Sequence, residues 1–391
     1  MNSHVRPWAT QQKRKLGEKP PNSVLAVLGR DEIGVVMNRV PIAKRVQART
    51  LGTALMLVGM VAAPTVVIAD EGGVSFWLPG QFGSLAAVPQ QPGWSGADIY
   101  YHTSVSAAGG VAAAREITIG RFNPTVNVNL NANLNSRVDL DLFNATYVFA
   151  QPVWGGQLAV GMTGLAGQNR TSIDGTLTVA VGPFAATRFG SISDQRSGFG
   201  DLYPLASLRW NSGLYNFMTY MTGDIPVGLY DSSNLANLGI GHGAIDGGVG
   251  YTYFNPQTGK ELSVVTGLTS NFKNTSTNYT NGVDWHVDWG VSQFLSKQFL
   301  IGAVGYVYKQ LSADSGAAPI LGPNESQVVG AGPQIGYLFP VGNMQGLLSL
   351  KAYWEFDASR RADGWNTWLT YAISPAAAPP PVAPSKPMYK K

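Results

Sequence analysis

Apolar and polar residues alternate along several segments of this chain. In residues 126–135, valine, leucine and alanine alternate with asparagine, and residues 283–292 and 347–358 follow the same two-residue period. Because successive side chains of a strand point to opposite faces, each segment has one apolar and one polar face. About ten residues is also the length that a tilted strand needs to cross a bilayer. The pattern therefore predicts an all-β protein, a transmembrane antiparallel β-barrel with a polar lumen.

The alternating segments and their turns predict about 14 strands within residues 96–374. The alternative is 12 strands, if the first pair or the region 111–134 is divided differently. Short and long connections alternate along the chain, as in outer-membrane barrels, and an even strand number places both barrel ends on the periplasmic side. Residues 375–391, rich in proline and alanine, predict a disordered tail.

A leader precedes the barrel. Residues 37–69 predict a signal peptide, since Lys44, Arg45 and Arg49 precede an uncharged stretch, 51–68, that ends in small residues before Asp70. The alternative is a single transmembrane anchor, because eighteen residues is close to the spanning length. Residues 1–36 are interpreted as an N-terminal extension or a mis-assigned start. The expected location is the bacterial outer membrane, after Sec-type export.

Composition narrows the class of protein. The chain has 27 Lys+Arg and 23 Asp+Glu, of which residues 1–69 hold 10 and 3, so residues 70–391 carry a net charge of −3. This acidic balance excludes a nucleic-acid partner based on basicity. With 0 cysteines, disulfides, thiolate zinc sites and cysteine catalysis are excluded. A soluble β-sandwich or propeller remains the competing fold, although such folds rarely expose Trp, Val and Leu so freely.

Polar positions on the predicted strands supply the candidate substrate path. Charges of both signs in a lumen pair across it or set its selectivity, and asparagines suit neutral polar or amphipathic solutes. They also suit a lumen wall that is merely hydrated. The predicted lumen-facing residues are Asn127, Asn129, Asn131, Arg137, Asp139, Asp141, Asp284, His286, Asp288, Lys351, Glu355 and Asp357.

Residues 70–95 are too rich in proline and glycine for a long strand. This segment, with Phe76, Trp77, Leu78 and Phe82, is expected to begin the barrel wall, to plug the lumen, or to lie at the lipid interface. Unpaired backbone is excluded from hydrocarbon, so a deep position requires the lumen.

No motif points to a cofactor, a metal or a catalytic centre. Asp284, His286 and Asp288 share one strand face but spread over about 13 Å, which is too far for one ion. The chain contains neither a Gly-x-Ser-x-Gly elbow nor a His-Glu-x-x-His motif. We therefore expect no enzyme and no cofactor, with an outer-membrane acyl hydrolase as the remaining catalytic alternative.

Several segments resemble a known family of bacterial outer-membrane proteins. They are residues 72–94, the run Tyr-Tyr-His-Thr at 100–103, Gly-Phe-Gly-Asp-Leu-Tyr-Pro at 198–204, and Gly-Trp-Asn-Thr-Trp at 364–368. Over residues 70–374 the chain is similar to the meta-pathway phenol-degradation, or transporter, family. One departure is that the last predicted strand is followed by a tail rather than ending the chain on an aromatic residue.

The resemblance implies an outer-membrane channel for passive uptake of small hydrophobic or aromatic compounds. The implied partners are outer-membrane lipids and lipopolysaccharide, the barrel insertion machinery and small hydrophobic solutes. A structural or adhesive barrel without transport is the alternative from another class.

Overall fold

The computed structural model describes residues 75–108, 128–181, 184–316 and 325–376, which belong to one compact unit, Val61–Lys391. Among these residues, no helix is long and apolar enough to cross a membrane. The expectations for residues 1–36 and 37–69, and for all but the first two residues of the tail 375–391, lie outside the described residues.

The described residues form fourteen strands. In chain order they are β1 (Gly93–Ala108), β2 (Val128–Val148), β3 (Gln157–Val181), β4 (Phe184–Ser212), β5 (Tyr215–Asp224), β6 (Ala244–Asn255), β7 (Lys260–Asn271), β8 (Tyr279–Thr280), β9 (Asp284–Phe294), β10 (Phe299–Gln310), β11 (Ser315–Gly316), β12 (Gln327–Val341), β13 (Met344–Ser359) and β14 (Asp363–Pro375).

Twelve of these strands close into one antiparallel barrel, in which β1 pairs with both β2 and β14. The two short strands, β8 and β11, form a separate sheet. The all-β antiparallel barrel is thus confirmed, with the alternative count of twelve rather than fourteen. Within the region 111–134 and beyond it, the described residues form one strand, since β2 pairs with both β1 and β3 without a break through Ser136.

The two ends of the barrel differ. Connections of two to eight residues join the strands at the end where β1 begins and β14 finishes, which we call the short-turn end. The longer connections 225–243, 272–283 and 311–326 lie at the opposite, long-loop end. This asymmetry is typical of outer-membrane barrels, whose periplasmic turns are short.

Large apolar side chains cover the outside of the barrel. Phe143, Met221, Val249 and Trp354 are each more than half exposed although each lies within a strand. Aromatic rings pair on the outer face near the short-turn end, where Trp94 lies 5.2 Å from Tyr147. Because a water-soluble surface does not carry so much contiguous apolar area, this belt indicates contact with lipid.

Three neighbouring strands extend past the belt. β2, β3 and β4 contain 21, 25 and 29 residues, whereas about ten residues span a bilayer. Their additional length projects at the long-loop end, where Ala132 and Ile173 are buried against Leu235 of the loop 225–243. In this extension the interior combines this apolar cluster with buried, hydrogen-bonded polar side chains, among them Asn169 and Thr171.

Candidate functional site

The first described segment, residues 75–92, lies inside the barrel up to its last three residues, which are exposed, and we call it the luminal segment. At the short-turn end, the backbone N–H of Gln90 donates to Oε1 of Gln157, over 2.7 Å. Toward the other end, Nη1 of Arg361, in the connection between β13 and β14, lies 3.4 Å from Oγ of Ser75. The luminal segment therefore extends along the lumen between these two levels.

Inward side chains of the wall satisfy the backbone of the luminal segment. The N–H of Leu85 donates to Oε1 of Glu261 over 3.0 Å, and the N–H of Ala87 donates to Oγ1 of Thr252 over 3.0 Å. A buried backbone N–H without a partner costs free energy comparable to a lost hydrogen bond. These wall residues therefore supply the hydrogen-bond acceptors that a neighbouring strand would supply to a strand of a sheet.

Two opposite charges hold the turn from Gly80 to Phe82. Asp288 on β9 accepts hydrogen bonds from the N–H groups of Gly80 and Phe82, each over 3.0 Å. Lys351 on β13 donates to the carbonyl oxygens of Gly80, Gln81 and Phe82. Both charged side chains are buried, and charge-assisted hydrogen bonds are about twice as strong as neutral ones. The turn is thus clamped between two walls of the barrel.

Glycine at the clamped turn is required by space and by backbone conformation. Gly80 has φ +91, a left-handed conformation that favours glycine. A Cβ at this position would lie 2.9 Å from a ring carbon of Tyr353 and 3.2 Å from Nε1 of Trp368. Even an alanine would therefore push the turn away from Asp288 and Lys351.

A buried ring stack holds the tip of the luminal segment. The ring of Trp77, which is 1% exposed, stacks on the ring of His286 with centroids 3.6 Å apart and planes at 14°. Nε2 of His286 lies 2.8 Å from Oδ2 of Asp246. The same carboxylate oxygen accepts a hydrogen bond from Oγ1 of Thr269 over 2.6 Å. The pair of His286 and Asp246 thus orients the imidazole on which Trp77 packs.

An aromatic cavity remains beside the luminal segment. Its volume is about 200 Å³, and it lies between the luminal segment and the walls formed by β1–β5 and β14. Its aromatic lining residues are Phe76, Trp77, Phe82, Tyr203, Tyr220 and Trp368. The lumen is therefore narrowed by the segment, and the space that remains has walls suited to apolar rings.

The loop 225–243 folds into the long-loop end of the barrel. Asp201 of β4 accepts hydrogen bonds from the N–H of Gly228 over 2.7 Å and from the N–H of Ile240 over 2.8 Å. Leu238 joins the buried cluster that contains residues from both sides of the lumen. On the exposed surface of the loop, hydrogen bonds from the side chain and backbone of Ser233 lower the pKa of Asp231.

Several predicted path residues face the interior. On β9, Asp284, His286 and Asp288 are each 1% exposed, and their outward neighbours are not buried. The three side chains bind different partners. Asp284 accepts a hydrogen bond from Nδ2 of Asn271 over 2.8 Å, His286 pairs with Asp246, and Asp288 binds the luminal segment. Within the described ranges, no group of three metal-ligating side chains occurs.

The charged residues of β13 divide into two groups. Lys351 contacts the luminal segment, and Glu355 accepts a hydrogen bond from the hydroxyl of Tyr306 over 2.8 Å. Asp357 is exposed with φ +52, beside an irregular pairing of β12 with β13, so the alternation breaks before it. Asp357 therefore lies at the rim of the barrel and not along the lumen wall.

The expectation for β2 needs correction, because its faces are reversed. Leu140 and Leu142 are buried in the interior cluster, which leaves Arg137, Asp139 and Asp141 on the outer face. The physical reason is that the interior at this level is filled by packed apolar side chains, among them Leu142 and the rings of the luminal segment, so the apolar face of β2 points inward. The predicted polar lumen face is therefore the outer surface of the barrel.

The alternating asparagines of residues 127–135 belong to the part of β2 that lies farthest from the short-turn end, together with the residues just before it. Asn129 and Asn131 pair with Thr178 and Thr176 on β3, while Asn127 lies outside the described residues. Asn133 and Asn135, which follow in the same alternation, are exposed. Within the described part of this series, nothing brings an asparagine into contact with the luminal segment.

Several residues that contact the luminal segment or its partners were not predicted from the sequence. Glu261 on β7 shares an inward face with Ser263 and Thr269, and Asp246 on β6 shares one with Thr252. The two-residue period of β6 and β7 marks these faces, so the alternation could have identified them. Their partners in residues 75–92 could not be read from it.

One substitution tests the clamp. Lys351→Met should speed backbone hydrogen exchange across residues 78–88 by roughly tenfold or more, because hydrogen bonds to a charged group each contribute about 1.5–3 kcal/mol. Mass spectrometry of the purified barrel would measure it. Lys309→Met on β10 is the matched control, since Lys309 is exposed. Unchanged exchange in both variants would show that Lys351 does not hold the turn.

The chain matches a known protein family and is similar to a solved outer membrane channel. The family model described as "Putative MetA-pathway of phenol degradation" matches residues 117–371. None of the curated protein sequences matches the chain. The solved COG4313 outer membrane channel from Pseudomonas putida F1 is similar with a TM-score of 0.53 and 12% identity, covering 76% of this chain and 99% of that chain.

Two further solved structures share less of the arrangement. The translocator domain of autotransporter NalP from Neisseria meningitidis has a TM-score of 0.35 and 10% identity, over 74% of this chain and 91% of its own. A structure described as the CymD monoaromatic hydrocarbon channel has a TM-score of 0.33 and 9% identity, over 73% and 89%. Neither value is high enough to bear on this fold. The family model, in contrast, spans well over half of the chain, and the protein therefore belongs to the MetA-pathway phenol-degradation family.

Proposed function

We propose that the protein is an outer-membrane channel for passive passage of small hydrophobic or aromatic compounds. The observation that carries this proposal is the cavity of about 200 Å³, lined by six aromatic and several aliphatic side chains, inside a closed barrel. Membership of a family named for phenol degradation and similarity to a channel of the same fold support it.

The direction of insertion follows from the two barrel ends. The short-turn end is periplasmic and the long-loop end extracellular, as in other outer-membrane barrels. We propose Sec-type export with a leader removed before Asp70. The mass of the protein isolated from membranes would give the mature N-terminus, and retention of residues 51–68 would contradict cleavage.

The luminal segment acts in this proposal as a plug that sets what can pass. Its burial of Phe76 and Trp77, together with the contacts of Asp288 and Lys351, keeps the lumen narrow. Ions and sugars need a continuous hydrated path, whereas an apolar ring can exchange water for aromatic walls. The channel should therefore conduct ions poorly and still interact with aromatic solutes.

Planar-bilayer recording tests the proposal. Phenol or toluene added to one side should cause brief, concentration-dependent blocks of the small ionic current, and glucose at equal concentration should not. Heat-modifiable migration on a gel would establish that the protein is folded. If folded protein gives no solute-dependent blocks with any of the aromatic compounds, a structural or adhesive barrel becomes the better interpretation.

A further inference from the structure

The cavity beside the luminal segment has the size of a single-ring binding site. An engineered cavity of roughly 150 Å³ lined by apolar side chains binds benzene. At about 200 Å³, this cavity can hold one ring with a small substituent. Its walls include Leu142 and Leu205 together with the aromatic rings, so most of a bound ring would contact apolar atoms.

The charge of the lining restricts the ligand further. All the residues around the cavity are described, and none of them is charged. Moving an ionised carboxylate out of water without a charged partner is strongly unfavourable. The cavity therefore selects neutral rings against aromatic carboxylates of the same size.

Hydroxyl groups in the lining offer hydrogen bonds to a ligand. Nδ2 of Asn144 donates to Oγ1 of Thr163 over 2.9 Å, so the Thr163 hydroxyl can donate its own hydrogen. Oγ1 of Thr222 donates to the carbonyl of Pro204 over 2.8 Å and keeps lone pairs that can accept. A hydroxyl on the ligand can both donate and accept, and it matches either group.

We propose that this cavity is a binding site for a neutral, single-ring aromatic compound carrying one hydroxyl group. The inference rests on the proposed function and assigns the passing solute a chemical class and a place. Thr163 recognises the ring hydroxyl, and the aromatic residues of the luminal segment form one side of the site.

Calorimetric titration of the purified barrel with phenol, toluene and benzoate tests the proposal. Phenol should bind roughly 3–10-fold more tightly than toluene, as one net hydrogen bond implies, and benzoate should bind far more weakly than either. Thr163→Val should remove the preference for phenol while leaving toluene binding unchanged. Leu205→Trp should fill the cavity and weaken phenol and toluene alike by tenfold or more.

Thr171→Val is the matched control, since Thr171 lies on the same strand but lines a different, polar cavity. It should bind phenol as the wild type does. Phenol binding that is insensitive to both Thr163→Val and Leu205→Trp, or benzoate binding as tight as phenol, would overturn the site. If aromatic solutes block the current but do not bind here, the site is wrong and the channel function stands. Binding with the expected specificity supports the site even in a barrel that conducts nothing.

Discussion

Deletion of residues 75–90 is expected to raise the single-channel conductance of the barrel several-fold. The deletion removes Phe76, Trp77 and Phe82 from the lumen, along with the backbone groups that Asp288 and Lys351 bind. Water then hydrates those two side chains, and the lumen widens along the length that the luminal segment had filled. Conductance in planar bilayers measures the change, and discrimination between phenol and glucose should weaken at the same time.

The barrel itself should survive this deletion. Its closure depends on the pairing of β1 with β14, which begins at Gly96, after the deleted residues. Heat-modifiable migration on a gel would show whether the wall still forms. Deletion of residues 377–391, which removes a similar length from the other terminus, is the control and should leave conductance unchanged. An unaltered conductance in a folded deletion variant would mean that the luminal segment does not limit passage.

The sequence predicts the barrel well because its signal is local. On β9, the alternation of Asp284, His286 and Asp288 with Trp285 and Val287 needs no partner strand to be recognised. The family of the chain was likewise identifiable from short runs of sequence, such as residues 198–204 and 364–368. In a strand of about ten residues that crosses lipid, the apolar face of the alternation is the outer face of the barrel.

The faces of β2 illustrate what the pattern leaves open. A two-residue period separates two faces but does not say which one is inside. Where the interior is polar the apolar face points outward to lipid, whereas Leu140 and Leu142 point into an interior that is packed with apolar side chains. Arg137 and Asp139 were therefore assigned to the wrong side, because the pattern of β2 alone does not show what fills the barrel interior beside it.

The contacts of the candidate site could not be predicted at all. Asp288 binds the backbone of Gly80 across 208 residues of sequence, and Lys351 binds the same turn across 271. The proline-rich character of residues 70–95 indicated that the segment would not continue a ladder. Barrel closure decides which charged wall residues contact an irregular segment in the lumen. The sequence of a single strand does not show how the barrel closes.

A single arginine on the lipid face should destabilise the barrel strongly. Val249 is 57% exposed, and it lies six residues from the short-turn end of β6, close to the middle of a ten-residue span. Val249→Arg should lower the free energy of unfolding by roughly 2–4 kcal/mol, because the charge must be moved out of hydrocarbon or snorkel to its edge. Urea titration of the barrel in lipid vesicles, followed by tryptophan fluorescence, measures the loss.

The control uses the outer surface that faces water instead of lipid. Asn135 is exposed in the extension of β2, so Asn135→Arg should change the free energy of unfolding by about 0–1 kcal/mol, as expected near or beyond the interface. His286 is unsuitable as a lumen-facing control, since its ring is packed on Trp77 and paired with Asp246. The difference between the two arginine variants thus measures the lipid environment itself. Equal destabilisation at Val249 and Asn135 would contradict the placement of the apolar belt in the membrane, because only a boundary between hydrocarbon and water separates two otherwise similar exposed strand positions.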